Sequence, residues 1–286
     1  MSQALDNLIE ILNIEKIEEN IFRGYSMDVT RVRVFGGQVA AQALMAAGRT
    51  VSKGLVHSLH AYFLRPGDPK LPILYQVNRI RDGKSFTTRL VVAIQKGEAI
   101  FNLSCSFHVQ ETGLEHSIEM PNVPDPEELP TLAQRLAPWS DQLSDFLLRP
   151  HPIDQRFVGE LPWISKDPRA PSQQLWIKAD GKLPDDPLLH ACVVTYASDM
   201  TLFDSILLPH AIRWGDPSFM GASLDHSMWF HRPFRADEWM LFDQHSPAAY
   251  GARGLALGSL FNRNGEIVIS LAQEGLVRFT KPDHQS

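Results

Sequence analysis

The residues best suited to chemistry in this chain are polar side chains set among apolar ones. From Leu188 to about Leu208 the hydropathy reads as a helix. Its 3.6-residue period puts Leu189, Cys192, Tyr196, Asp199, Phe203 and Ile206 on one face. Asp199 is therefore a carboxylate inside an apolar stripe, and burying it unpartnered would cost on the order of several kcal/mol. It is either a core aspartate paired with a basic group such as His57, or a carboxylate kept for proton transfer. Asp204 lies about 140° further round such a helix and falls to the solvated side or a helix end. In the last strand Ile267, Ile269 and Leu271 share a face, and Gln273 continues their parity. Gln273 reads as an amide on the apolar side or as an end-of-strand residue reaching solvent. Ser223 shares parity with Asp225, Ser227 and Trp229, so periodicity alone favours a solvent-face serine.

Gly36 and Gly37 open an Ala-rich run, and a glycine-entered helix offers free N–H groups with positive dipole character. They could polarise a carbonyl oxygen, or they could simply allow close helix-to-strand packing. The familiar catalytic signatures are missing. The chain has no Gly-x-Ser-x-Gly elbow, no His-Glu-x-x-His and no Gly-x-x-x-x-Gly-Lys. Its 11 histidines show no metal-ligand spacing, so neither a metal nor a cofactor is expected. His57, beside His60 on one strand, titrates in a useful range; it is read as structural or substrate-binding, with a basic role as the rival.

The elements that must position these residues come in two sets. Residues 1–20 read as an amphipathic helix, and Ile21–Tyr25 as the start of a strand. Phe35–Gly48 forms a helix of about three turns with no internal proline. Strands are expected at Val56–Leu64, Ile73–Ile80, Phe86–Gln95 and Ala99–Val109, with turns between them. Residues 111–172 hold half of the chain's 20 prolines. This is a connector with one or two short helices near Leu132–Leu148. From Gln174 the first order returns: a strand at Leu175, the helix 188–208, then strands at Ala222–Phe230, Trp239–His245, Ala252–Phe261 and Glu266–Val277.

The two sets are a repeat. Tyr62-Phe-Leu-Arg-Pro66 matches Trp229-Phe-His-Arg-Pro233 at a shift of 167, and Lys96-Gly-Glu-Ala-Ile100 matches Asn264-Gly-Glu-Ile-Val268 at 168. The predicted organisation is two pseudo-equivalent units, 1–110 and 173–286, joined by 111–172. The registration sets Gln273 against Cys105 and Ser223 against Val56. A duplicated scaffold that is polar in one copy implies one working site.

The bulk properties narrow the class. The 286 residues are 44% hydrophobic and 21% charged, which excludes a disordered chain. No stretch approaches the ~18 apolar residues of a membrane span. The acid-bearing first residues do not read as a secretory signal, and Asp283-His-Gln-Ser286 does not read as a peroxisomal address. Two cysteines in apolar runs point to a reducing, cytoplasmic compartment. A formal charge of -6 argues against nucleic-acid binding.

Four motifs closely resemble bacterial acyl-CoA thioesterase II: Val34-Phe-Gly-Gly-Gln-Val39, Val56-His-Ser-Leu-His-Ala-Tyr-Phe-Leu-Arg-Pro-Gly-Asp68, Tyr196-Ala-Ser-Asp199 and Asp225-His-Ser-Met-Trp-Phe-His-Arg-Pro233. The resemblance covers essentially the whole chain and is weakest in the connector. It implies an α+β double hotdog, two antiparallel sheets each wrapped around a long helix, and hydrolysis of fatty acyl-CoA to fatty acid and CoA. It also implies a water held by an Asp, a Thr or Ser hydroxyl and a Gln. By motif these are Asp199, Ser223 and Gln273. Serine stands where threonine is expected, which keeps the hydroxyl and loses the methyl that restricts its rotamer. Gly36 and Gly37 would meet the thioester oxygen, with His57 nearby. Arg65 and Arg232, with Arg89 and Arg253 behind them, are candidates for the CoA phosphates, or else structural ion-pair partners. The family also implies a homodimer or homotetramer.

Two rivals remain. Hotdog hydratases and dehydratases need a histidine a few residues beyond the aspartate, and here Met200-Thr-Leu-Phe-Asp204 follows. A non-catalytic acyl-CoA binding module would have no use for the polar trio.

Overall fold

The computed structural model describes residues 2–26, 32–143, 148–164, 167–214, 216 and 218–279. Its first unit begins with α1 (Gln3–Leu12), capped by the Ser2 hydroxyl. The helix is shorter than the expected 1–20, because Glu15–Glu18 turns into strand β1 and pairs with β2 (Ile21–Gly24). Leu5, Leu8 and Leu12 are fully buried, each contributing roughly 1.5–3 kcal/mol. Then follow α2 (Gly36–Gly48), β3 (Leu55–Phe63), β4 (Ile73–Asp82), β5 (Phe86–Gln95) and β6 (Glu98–His108), close to the expected bounds.

The connector carries α3 (Leu132–Leu136), with a complete capping box at Thr131 and Gln134. The further connector helix expected toward Leu148 falls partly on residues outside the described ones. The connector also holds a strand that the sequence reading missed. Between Pro152 and Gly159, Ile153, Gln155 and Phe157 alternate inward as β7 (Ile153–Phe157) and extend the second sheet. Upstream, Met120, Val123 and Leu129 lie over Trp176, Trp239, Leu241 and Phe261, so the connector covers the outer face of the second unit.

That unit contains β8 (Ser172–Ala179), α4 (Pro187–Ser198), α5 (Asp204–Leu207), β9 (Phe219–Ser223), β10 (Asp225–Phe230), β11 (Met240–Tyr250), β12 (Arg253–Asn262) and β13 (Ile267–Phe279). The expected single helix 188–208 is two pieces. α4 stops at Ser198, a turn follows, and α5 restarts in a new phase. Of the two places expected for Asp204, the helix end is the one found: it opens α5, and it is buried at 2% exposure rather than solvated.

The near-continuously buried α2 and α4 pack against each other inside the sheet. The strand order is β1-β2-β4-β5-β6-β3-β10-β13-β12-β11-β8-β7, with β9 alongside β13. This is a double hotdog whose two half-sheets join edge to edge between β3 and β10. At the seam Ser227 lies opposite His60, its own counterpart at the shift of 167. A pseudo-twofold axis therefore passes through that pair, where His60 Nδ1 and Ser227 Oγ are 3.1 Å apart. The repeat extends to irregularities. β3 has a bulge at His57, and the expected strand 222–230 is broken at Leu224, the counterpart of His57.

Candidate active site

Asp199 caps the C-terminal end of α4. The turn before it is braced from β10. Ser198 Oγ donates to Thr195 O at 2.9 Å and so accepts from His226 Nε2 at 2.8 Å. His226 is buried, which lowers its pKa to about 4 and keeps the ring neutral at ordinary pH.

The Asp199 carboxylate points toward the N-terminus of α2, and its Oδ2 accepts the Gly37 N–H at 2.7 Å. Its Oδ1 accepts Gln273 Nε2 at 2.6 Å, while the Ser223 hydroxyl approaches at 3.4 Å. Gln273 Nε2 uses its second proton on Ser223 Oγ at 2.9 Å. The opposite amide orientation would set Oε1 against a carboxylate, so the hydrogen-bond network fixes this one. The Gln273 side chain is wholly buried, and its Oε1 has no partner. Burial raises the Asp199 pKa to about 6, against the opposing pull of the Gln273, Gly37 and Ser223 donors and the Arg33 charge. The carboxylate is thus ionised at neutral pH and basic enough to take a proton.

The glycines are required by space. A Cβ on Gly37 would lie 2.6 Å from Tyr196 O, and one on Gly36 would lie 2.7 Å from the Phe63 ring and 2.8 Å from Asp199 Oδ2. Both readings of these glycines meet here: close packing lets the helix end reach the carboxylate. The Gly37 amide, expected to face a carbonyl oxygen, is taken up by Asp199.

The pseudo-twofold supplies an internal comparison. Ser223 pairs with Gly275 as Val56 pairs with Phe107, so Val56 and Cys105 are the counterparts of Ser223 and Gln273. At the entry of α4, Leu188 presses on Gly48 as Gly37 meets Asp199. The second copy of the site is apolar.

The other expected contact residues have partners of their own. Arg65 donates to Ala99 O at 2.8 Å and pairs with Glu98. Arg232 donates to Ile267 O at 2.9 Å. These are equivalent positions of the repeat, and each arginine pins a strand end to a hairpin. Arg89 is buried at 1% exposure and saturated by Asp82, Thr50 and backbone carbonyls. Arg253 pairs with Glu274 at 2.9 Å. His57 sits six residues along β3 from Phe63, roughly 20 Å at strand rise, against Phe86 and His108. It is not the partner of Asp199.

Three features escaped the sequence reading. Arg33 is held to Gly221 O at 2.7 Å, close enough for its charge to act on Asp199. The Ser198–His226 brace lies within quoted motifs, but nothing in their spacing signals it. Asp204 accepts the Trp214 indole at 2.7 Å; burial raises its pKa to about 7. Among the described residues no three His, Cys, Asp or Glu side chains converge as a metal site, and no helix is long and apolar enough to cross a membrane. An open groove of about 370 Å³ near Trp239 and Lys178 lies away from the trio. Its arginines are paired, Arg235 with Asp237 and Arg263 with Glu127.

The comparisons with known proteins identify the family. A family model described as acyl-CoA thioesterase matches residues 149–276, and one described as acyl-CoA thioesterase N-terminal domain matches 26–108. Acyl-coenzyme A thioesterase 8 of Homo sapiens is 42% identical over 284 residues, covering 94% of this chain and 88% of its own. The chain belongs to the acyl-CoA thioesterase family. Acyl-CoA thioesterase 2 of Haemophilus influenzae is 38% identical over 98% of this chain and 100% of its own. The crystal structure of an acyl-CoA thioesterase II from Mycobacterium marinum matches with a TM-score of 0.79 at 42% identity, over 96% of this chain and 99% of that one. This acyl-CoA thioesterase is therefore a thioester hydrolase on a double hotdog, as the four motifs implied.

Proposed function

We propose that this enzyme hydrolyses medium- to long-chain fatty acyl-CoA through a water held by Asp199, Ser223 and Gln273. The observation that carries the reading is the Asp199 carboxylate, with Gly37 N–H on one oxygen and Gln273 on the other. The 3.4 Å link to Ser223 is long for an O–H···O bond, so the hydroxyl is the member free to turn toward a water. Asp199 takes the proton as the water attacks the thioester carbon. The oxyanion then collapses and expels the CoA thiolate, a leaving group with a pKa near that of cysteine, about 8.5, which needs little acid assistance. With Gly37 engaged by Asp199, the Gly36 N–H is the helix-end donor for the carbonyl oxygen. Arg33 is the cation beside the site for the anionic substrate.

The same reading treats 1–110 and 173–286 as hotdog units joined by 111–172. It also takes the enzyme to be a cytoplasmic homodimer or homotetramer. Buried free Cys105 and Cys192 support a reducing compartment. Half-buried Leu90, Val92, Ile94, Asn102, Ser104 and Ser106 form an outer sheet face without charged side chains, and depletion of charge is a feature of interface cores. Light scattering on the purified chain tests the assembly.

The decisive experiment is thiol release from palmitoyl-CoA and decanoyl-CoA by wild type and Asp199→Asn, with folding checked by circular dichroism. A loss of about 100-fold or more in the variant is expected. Equal activity would make Asp199 structural. Acyl-CoA binding without turnover by wild type would favour a binding module.

A further inference from the structure

The duplicated scaffold contains its own control. At the ends of the central helices Gly37 meets Asp199, and Gly48 meets Leu188. This registers α2 on α4 with Gly48 as the counterpart of Asp199, Ala47 of Ser198 and Thr50 of Thr201. At the shift of 167 seen at the seam, Leu59 is the counterpart of His226.

One polar contact recurs in both halves. Thr50 Oγ1 accepts Arg89 Nε at 2.8 Å, and the Thr50 carbonyl accepts the same guanidinium at 3.1 Å. Thr201 Oγ1 accepts Gln244 Nε2 at 2.7 Å, and the Thr201 carbonyl accepts Gln173 Nε2 at 2.8 Å. The turn beyond each central helix is thus anchored through a threonine, whether or not that half carries a site. This anchor belongs to the fold.

The bond between Ser198 and His226 is of another kind. Its counterparts Ala47 and Leu59 are apolar and fully buried, so the fold does not require a polar pair there. The halves differ in the same sense at Asp199 and Gly48, at Ser223 and Val56, and at Gln273 and Cys105. The Ser198–His226 pair is polar only where the site is. It also has a cost. His226 is 1% exposed and its Nδ1 is buried with no partner, a penalty that a leucine avoids.

The geometry shows what this bond holds. Ser198 is the last residue of α4, directly before Asp199. His226 lies on β10, three residues beyond Ser223. The bond ties the helix end that carries Asp199 to the strand that follows Ser223, across which carboxylate and hydroxyl stand 3.4 Å apart.

We infer that His226 is a positioning residue that, through Ser198, fixes Asp199 against Ser223 for the attack by water. This rests on the thioesterase reading and deepens it. His226 acts on the placement of Asp199 and takes no part in proton transfer.

The test is thiol release from decanoyl-CoA, with thermal melts, for wild type, Ser198→Ala/His226→Leu, Ser198→Ala, His226→Gln and Asp199→Asn, and for the serine and double changes repeated in the Asp199→Asn background. The double variant installs the apolar pair that the first unit already uses, and it removes both partners of the bond at once. It should melt within about 4 °C of wild type. Its kcat should fall about tenfold while KM stays within about twofold. His226→Gln keeps a donor toward Ser198 and should recover most of kcat. In the Asp199→Asn background the double change should cost less than about twofold, because it acts through Asp199. Should the double variant fail to fold, Ser198→Ala, which removes one oxygen, carries the test with a loss of about threefold or more that vanishes in the Asp199→Asn background. Wild-type kcat in the folded variant, or an equal loss in both backgrounds, overturns the inference and leaves the thioesterase reading standing. No thiol release by wild type, or full activity in Asp199→Asn, overturns both.

Discussion

The Gly37 amide donates to Asp199 Oδ2 at 2.7 Å, joining the entry of one central helix to the exit of the other. The bond crosses between the two units, so neither half contains the site alone. The positive end of α2 stabilises the negative charge of Asp199. A methyl at Gly37 would lie 2.6 Å from Tyr196 O, which is backbone and cannot turn aside. Gly37→Ala should therefore separate the helix ends and cost roughly 10- to 100-fold in kcat, the equivalent of one charge-assisted hydrogen bond. Thiol-release kinetics at saturating decanoyl-CoA check this, and unchanged kcat would show the bond to be dispensable.

Burial raises the Asp199 pKa to about 6, and the proposed mechanism uses its carboxylate form. The kcat/KM profile should therefore fall on the acid side with a limb near pH 6. Gln273 donates to the charged form and holds this pKa down, so Gln273→Ala should move the limb to higher pH as well as lower its plateau. A phosphate monoester also titrates near pH ~6. A pantetheine thioester, which lacks the nucleotide phosphates, keeps substrate ionisation out of the profile. A limb that stays in place in Gln273→Ala would show that the amide does not tune the carboxylate.

The same shift carries a sign for stability. Asp199 goes from 3.8 unfolded to about 6 folded, so the folded state binds its proton more tightly. The stabilisation is fully present below pH 3.8 and is lost as pH rises through 6. Over that window wild type should lose on the order of 2–3 kcal/mol relative to Asp199→Asn. Urea melts of both proteins at pH 4.5 and 7.5 measure the difference, and a gap that does not change between them contradicts the assignment.

How much of this was legible depended on whether periodicity ran unbroken. Gln273 follows Ile269 and Leu271 along an unbroken stretch of β13 and faces inward with them, whereas Ile267 lies beyond a register shift at Val268 and packs outward against the Trp176 and Phe261 cluster. The helical count places Asp199 correctly on the apolar face because α4 is regular up to Ser198. Asp204 opens the restarted helix, so its helix-end alternative holds and its solvated one does not. Counting in twos through Leu224 points Ser223 to solvent, but the strand breaks there and parity switches. Ser223 faces inward, and so do His226 and Met228, three and five residues on. β3 does the same at the His57 bulge, where Val56 and Leu59 both face the core. Pairwise alternation cannot register such an extra residue. Resemblance to a family recovered Ser223 where alternation could not. The twin arginines show the converse: their motif was visible, but the carbonyls they bind are set by tertiary contact.

Those arginines give a last expectation. Arg65 reaches Ala99 O and Arg232 reaches Ile267 O, related by the pseudo-twofold and both bound to backbone. A guanidinium committed to pinning a strand end is poorly free to follow a phosphate. Arg65→Ala and Arg232→Ala should each cost about 1 kcal/mol of stability. In a chain of this size that lowers the melting temperature by about 2–4 °C. KM for decanoyl-CoA should stay within about twofold of wild type. Because the sites are far apart, the losses should add in the double variant. Thermal melts and KM on the two single variants and the double decide it. A KM raised about tenfold with an unchanged melting temperature would return these residues to the CoA phosphates.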